Sequence, residues 1–156
     1  MTRKIDALLA EYGESHQNPT NKMVHWVCVP IIVWTVAAFL WAIPTPALFD
    51  GLSLLNWLTI ILGLCIVYYV VLSPALAVGF FLYSALSVWL ITLYEANFAM
   101  ALWKFAAIVF VLAWIGQFWG HKIEGKKPSF FKDVQFLLVG PAWLLSFIYK
   151  RLGIKY

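Results

Sequence analysis

Charge is scarce in this sequence and almost absent from its middle. Only 12% of the 156 residues are charged and 63% are hydrophobic. A soluble domain would carry about a quarter charged and half apolar residues, so an ordinary soluble globular protein is excluded. Cysteine is rare too: Cys28 and Cys65 both lie in apolar runs, and a disulfide framework is not expected. No glycine-rich phosphate loop and no serine or aspartate nucleophile pattern occurs. No basic face is interleaved with exposed aromatics, so nucleic acid is not an expected partner. The polar N-terminus is unlike a cleavable signal peptide, which would carry its apolar stretch there.

What is abundant is long apolar runs. A spanning helix needs roughly 20 apolar residues, and the chain has room for four. The expected fold is a single all-α membrane domain. It has an amphipathic arm over 1–17 and spans over about 20–43, 54–72, 75–94 and 98–119. A polar motif and a re-entrant or interfacial segment fill 120–156. In the arm, Ile5, Leu8, Leu9 and Tyr12 recur at helical spacing and predict a helix on the membrane surface or against the bundle. Gly13 ends it, and Asn18-Pro19 starts the next helix, with Asn18 as N-cap. Pro30 should kink the first span. Turns are expected at Pro44–Gly51, at Ser73-Pro74 and at Glu95 with Asn97, Glu95 being a solvated turn residue. Lys104 is placed two turns inside the fourth span, snorkelling outward. The stretch 131–149 is broken by Lys132, Asp133, Gln135 and Gly140-Pro141 and reads as a re-entrant or interfacial helix pair, with a fifth span as the lesser alternative. The nine tryptophans and seven tyrosines suit interfacial belts and apolar packing.

Cytoplasmic loops carry the Lys/Arg excess. Ten of the eleven basic residues lie before or at the very start of the first span or follow the last. Both termini are therefore expected in the cytoplasm, which needs an even number of spans. Compact loops and the lack of a long targeting region favour a bacterial inner membrane.

This orientation brings the three histidines to one membrane level. His16 and His25 stand at the start of the first span and His121 at the exit of the fourth. Gln117, His121 and Glu124 are spaced by four and three, so they share a helical face, as do Asn21 and His25. Imidazoles with a carboxylate suit Fe, Zn, Cu or Ni and leave open coordination positions. His16, His25 and His121, with Glu124, form a candidate metal site. Cys28 lies one turn from His25, where a small apolar role is favoured.

The segments SHQNPTNKMVH, Ser15 to His25, and QFWGHKIEGKKP, Gln117 to Pro128, resemble the 2-hydroxy fatty acid dioxygenase family. The similarity covers almost the whole chain and includes Gln135, Gly140 and Pro141. It departs from the family at Glu124, which stands three residues after His121 rather than four. The resemblance implies an Fe(II) enzyme of fatty-acid α-oxidation: a 2-hydroxy fatty acid and O₂ give the acid one carbon shorter. It carries the family histidines onto His16, His25 and His121. A 2-hydroxy acid can chelate a ferrous ion through its carboxylate and hydroxyl, and three protein ligands leave room for it and for O₂. Asn18, Asn21 and Gln117 are then candidates to orient the ligands, and Lys122, Lys126 and Lys127 to attract the substrate carboxylate. The tail would lie among the spans, where burial is worth roughly 0.8 kcal/mol per CH₂. Membrane lipid is the surrounding partner, and an oligomer is compatible with this reading. Two other readings stay open: a haem-binding or electron-transfer protein, and a non-catalytic transporter or scaffold. A diiron desaturase is disfavoured, since three histidines are too few.

Overall fold

A computed structural model describes residues 3–52, 55–125 and 130–156, with side chains described for all of these except 130–136. The described residues form six helices and no strand: α1 (Lys4–Gly13), α2 (Pro19–Ala42), α3 (Trp57–Leu72), α4 (Pro74–Asn97), α5 (Leu102–Glu124) and α6 (Phe130–Leu152). α2, α4 and α5 are long and apolar enough to cross a membrane. α3 is apolar but has 16 residues, about 24 Å at 1.5 Å per residue. That is short of the roughly 30 Å hydrocarbon core.

Local chemistry sets the boundaries. Asn18 caps α2 by accepting from the amides of Thr20 and Asn21, with Pro19 in the first turn. α3 starts later than the sequence suggests because Asn56 and Thr59 form a reciprocal cap: each side chain accepts from the other's backbone amide, both at 3.0 Å. Ser73 caps α4 through the amide of Leu76. α5 begins at Leu102 and runs past His121, stopping where Gly125 takes φ +73°, a conformation that suits glycine. Glu95 lies in α4 rather than in a turn, and there accepts from the Trp41 indole at 3.0 Å. Lys104 lies in the first turn of α5, not two turns deep, and is exposed beside the Trp103 ring. The C-terminal stretch is one helix rather than a pair: α6 continues through Gly140 and Pro141.

The predicted face of α1 is the buried one, Ile5, Leu8, Leu9 and Tyr12. It packs in one core cluster with Val139, Ala142 and Trp143 of α6, Val29 of α2, and Tyr69, Leu76 and Phe80 of α3 and α4. α6 is also tied to the spans by hydrogen bonds. The Tyr149 hydroxyl donates to the Ala75 carbonyl at 2.7 Å, and Tyr69 donates to the Leu138 carbonyl. Outward-facing Leu64, Val71, Val111 and Ile115 are exposed, as expected where lipid replaces water.

α2 and α5 approach most closely through Gly116-x-x-x-Gly120, the small-residue spacing that lets membrane helices touch. A Cβ on Gly116 would sit 2.8 Å from Cys28 Sγ, and one on Gly120 2.5 Å from Asn21 Oδ1. On Gly63 of α3 it would meet nothing within 4 Å. Gly120→Ala is therefore expected to destabilise the protein by about 1–3 kcal/mol through overpacking. Gly63→Ala should be neutral or slightly stabilising. Thermal unfolding of both variants in detergent checks this; equal midpoints would contradict the packing.

Candidate metal centre

Three separate pieces of chain supply the histidines. His16 follows α1, held by a turn in which its amide donates to the Gly13 carbonyl at 3.0 Å. His25 lies in the second turn of α2 and His121 in the last turn of α5. Their ring centroids are 4.2 Å apart for His16–His25, 5.0 Å for His25–His121 and 5.5 Å for His16–His121. One ligand atom from each lies within 4.8 Å of the others, and among the described residues no other such group of three occurs. His16 and His25 are buried, at 2% and 1% exposure, and His121 is half-buried.

Backbone carbonyls fix two of the rings. His16 Nδ1 lies 2.6 Å from the Tyr12 carbonyl and His25 Nδ1 2.9 Å from that of Asn21. A carbonyl only accepts, so both Nδ1 atoms carry the proton and both Nε2 atoms keep a lone pair. This is the arrangement usual for metal-bound histidines. His16 Nε2 and His121 Nδ1 are buried without a protein partner, which costs about 1–3 kcal/mol apiece unless something fills the role. Burial pushes the His16 ring's pKa down to about 4, the Tyr12 carbonyl opposing it and the neighbouring His121 reinforcing it. His16 is thus a neutral donor at physiological pH. The donor set, its tautomers and its orphaned nitrogens fit a divalent transition metal.

Glu124 belongs to a different arrangement. Its Oε1 accepts from the Gln17 amide at 2.8 Å, and its Oε2 from the Asn18 amide at 2.9 Å and Asn21 Nδ2 at 3.0 Å. The carboxylate therefore clamps the His16 turn and the start of α2 onto the end of α5. Asn18 serves as cap and clamp partner. Asn21 is central: its carbonyl orients His25, and its amide group binds Glu124 and the Ser15 carbonyl. Gln117 is buried at 6% exposure, one turn before His121, with Oε1 unpartnered. Lys122 is exposed, and adjacent helix positions do not face the same way, so it does not share the His121 face. Lys126, Lys127 and Pro128 lie outside the described residues, as does the side chain of Gln135.

Two contributors escaped the sequence reading. Tyr12 stacks on His16 at 4.2 Å and 10° and also supplies the carbonyl that holds it. Trp143 of α6 stands 5.3 Å from both rings. The spacing of four between Tyr12 and His16 was a usable signal for the first. Nothing local marked the second.

Over residues 2–152 the chain matches the protein family described as 2-hydroxy-palmitic acid dioxygenase Mpo1-like. The chain belongs to this Mpo1-like family. No curated protein and no solved structure matches it. The family's name suggests a 2-hydroxy fatty acid dioxygenase, and the three adjacent histidines can bind a metal.

If Glu124 is a clamp, Glu124→Ala should free the amides of Gln17 and Asn18. Loss of hydrogen bonds to a charged group, about 1.5–3 kcal/mol each, predicts exchange of these amides with solvent deuterium faster by tenfold or more. Unchanged exchange would deny Glu124 this role.

Proposed function

We propose that this protein is an Fe(II)-dependent dioxygenase that converts a 2-hydroxy fatty acid to the acid one carbon shorter. The carrying observation is the convergence of three imidazoles within 4.8 Å at the end of an apolar bundle, in a chain of the Mpo1-like family. The reaction balances with O₂ as sole oxidant: 2-hydroxy acid plus O₂ gives the shortened acid, carbon dioxide and water. The carboxyl–C2 bond breaks, and the hydroxyl-bearing carbon becomes the new carboxyl.

His16, His25 and His121 would hold the ion. Bound iron supplies the activation of O₂ and a Lewis-acid site for the substrate's carboxylate and hydroxyl. The protein's own groups do the rest. The carbonyls of Tyr12 and Asn21 hold two rings in the donor tautomer. Glu124 fastens the loop that carries His16. Tyr12 and Trp143 flank His16 and limit water at that ring. Gln117 offers an unfilled amide oxygen one turn from His121, suited to accept a hydrogen bond from the substrate hydroxyl. Lys122, exposed in the last turn of α5, and the basic residues Lys126 and Lys127 that follow it in the sequence would attract the substrate carboxylate electrostatically. The setting is a membrane, proposed as a bacterial inner membrane with both termini and the histidine end on the cytoplasmic side.

The test is direct. Purified protein is loaded anaerobically with Fe(II), mixed with 2-hydroxypalmitate and exposed to O₂. The expected product is the acid one carbon shorter, one per O₂ consumed. His16→Ala, His25→Ala and His121→Ala should each lose bound iron in elemental analysis and lower turnover by about a hundredfold or more. An iron-loaded wild type that forms no shortened acid would defeat the proposal. So would alanine variants that keep both metal and activity.

A further inference from the structure

Two apolar clefts adjoin between the helices of the bundle. The inner one, about 130 Å³, sits between α2, α4 and α6 and is walled by Trp26, Val29, Phe80 and Leu144 among others. The outer one, about 510 Å³, runs between α2, α4 and α5 and includes Trp34, Leu90, Leu93 and Phe105. Pro30 and Tyr83 border both. There the Tyr83 hydroxyl donates to the Pro30 carbonyl at 2.6 Å, so the two spaces meet at a hydrogen bond between α2 and α4.

The inner space begins close to the histidines. Val29 is one turn along α2 from His25 and on the same face. Val29, Trp143 and Leu144 pack in one core cluster, in which Trp143 stands 5.3 Å from the His16 ring and Val29 and Leu144 line the cavity. The hydroxyls near the seam are turned to backbone carbonyls: Ser87 to Tyr83, and Tyr94 to Met100. What faces the spaces is mainly hydrocarbon.

We infer that this seam receives the hydrocarbon tail of the 2-hydroxy acid, with Tyr83 as the residue that sets how long a tail is accepted. The inference rests on the function proposed above. The dimensions agree. At 1.5 Å per residue, His25 to Pro30 spans about 8 Å along α2 and Tyr83 to Tyr94 about 16 Å along α4. An acyl chain filling one bilayer leaflet is roughly 15 Å long. Such a tail, headed at the histidines, passes Tyr83 and ends in the outer space, whereas one of half that length stops at Tyr83. The two spaces together fall within the roughly 300–1,000 Å³ usual for ligand sites. Leu86, Leu90, Leu93 and Phe98 are exposed along the outer space, so it opens sideways toward lipid. A tail can enter from the bilayer without crossing water.

Two measurements test this. In the first, protein in phosphatidylcholine nanodiscs, without iron, is photolabelled with 2-hydroxypalmitate bearing a diazirine, near the head or at the terminal carbon. Label from the head position is expected at Trp26 and Val29, and from the terminal carbon at Leu90 and Leu93, with excess unlabelled 2-hydroxypalmitate suppressing both. Label spread evenly over outward residues such as Leu64 and Val111 overturns the inference. So does labelling of the seam by a diazirine phosphatidylcholine that the hydroxy acid fails to displace. In the second, turnover is compared on 2-hydroxypalmitate and 2-hydroxyoctanoate. Tyr83→Trp and Leu90→Trp should each lower the ratio of long to short by about tenfold; Leu64→Trp, outside the seam, should not. If Tyr83→Trp fails to fold, Leu90→Trp, at an exposed position, decides. An unchanged ratio overturns the inference while leaving the dioxygenase intact. A wild type inactive on every 2-hydroxy acid defeats the proposed function instead, and the iron-free labelling still judges the seam.

Discussion

The meeting of α2 with α5 at Gly120 is the constraint on which the site depends. A methyl group there would stand only 2.5 Å from Asn21 Oδ1. Asn21 cannot yield freely, because its amide nitrogen binds Glu124 and Ser15 and its carbonyl holds His25. The absence of one side chain therefore lets one asparagine join three elements: α2 that carries it, the His16 turn and the end of α5. Moving α2 outward would separate His25 from His121 and draw the Glu124 carboxylate off the two amides it satisfies. Helix packing and metal-site geometry are the same contact seen from two sides.

The polar atoms left without partners favour a ligand over a purely structural cluster. Among the described residues, buried orphans include His16 Nε2, His121 Nδ1, Gln117 Oε1 and Asn21 Oδ1, all near the meeting of α2, α5 and the His16 turn. Buried polar groups are normally paired, and a core built only for stability would replace or satisfy these. Yet the same region satisfies its other polar groups closely, down to both oxygens of Glu124 and both fixed Nδ1 atoms. Two further buried orphans, the indole N–H groups of Trp34 and Trp114, lie elsewhere on α2 and α5; those at the histidines can offer lone pairs, and a cation and its oxygen ligands would relieve them. The penalty in their absence, on the order of 1 kcal/mol or more for each group, is the reserve that metal binding would recover.

Much of this was readable from residue order. The face of α1, the Asn18-Pro19 start and the common level of the histidines all follow from spacing and charge placement. Each is set by interactions local in sequence or by the bilayer. The sequence reading runs out where long-range packing decides. Glu124 sits on the face of His121 at ligand spacing, and spacing alone cannot tell a ligand from a clamp. Two of its three partners, the amides of Gln17 and Asn18, are backbone groups with no residue signature, and all three are over a hundred positions away. α6 looked broken because Gly140 and Pro141 penalise an isolated helix. Packing against α1 favours continuity: Gly140 admits Tyr12 Oη and Val29 Cγ1, at 3.2 and 3.1 Å from where its Cβ would stand. The glycine read as a break is the point of closest approach.

α1 and α6 have a further consequence. Without them α2 and α5 would present His25 and His121 at an open boundary of the bundle, where a third ligand would have to come from outside the protein. The paired helices roof that boundary, bringing Tyr12, His16 and Trp143 over the gap and leaving His16 2% exposed. The roof also closes one side of the inner apolar space, since Leu144 and Ile148 of α6 line it. One packing interaction, the apolar stripe of α1 against α6, thus shields the polar end and the apolar seam together. A molecule with a chelating head and a long hydrocarbon tail matches that division at both ends. A smaller or uniformly polar substrate would leave the seam unused.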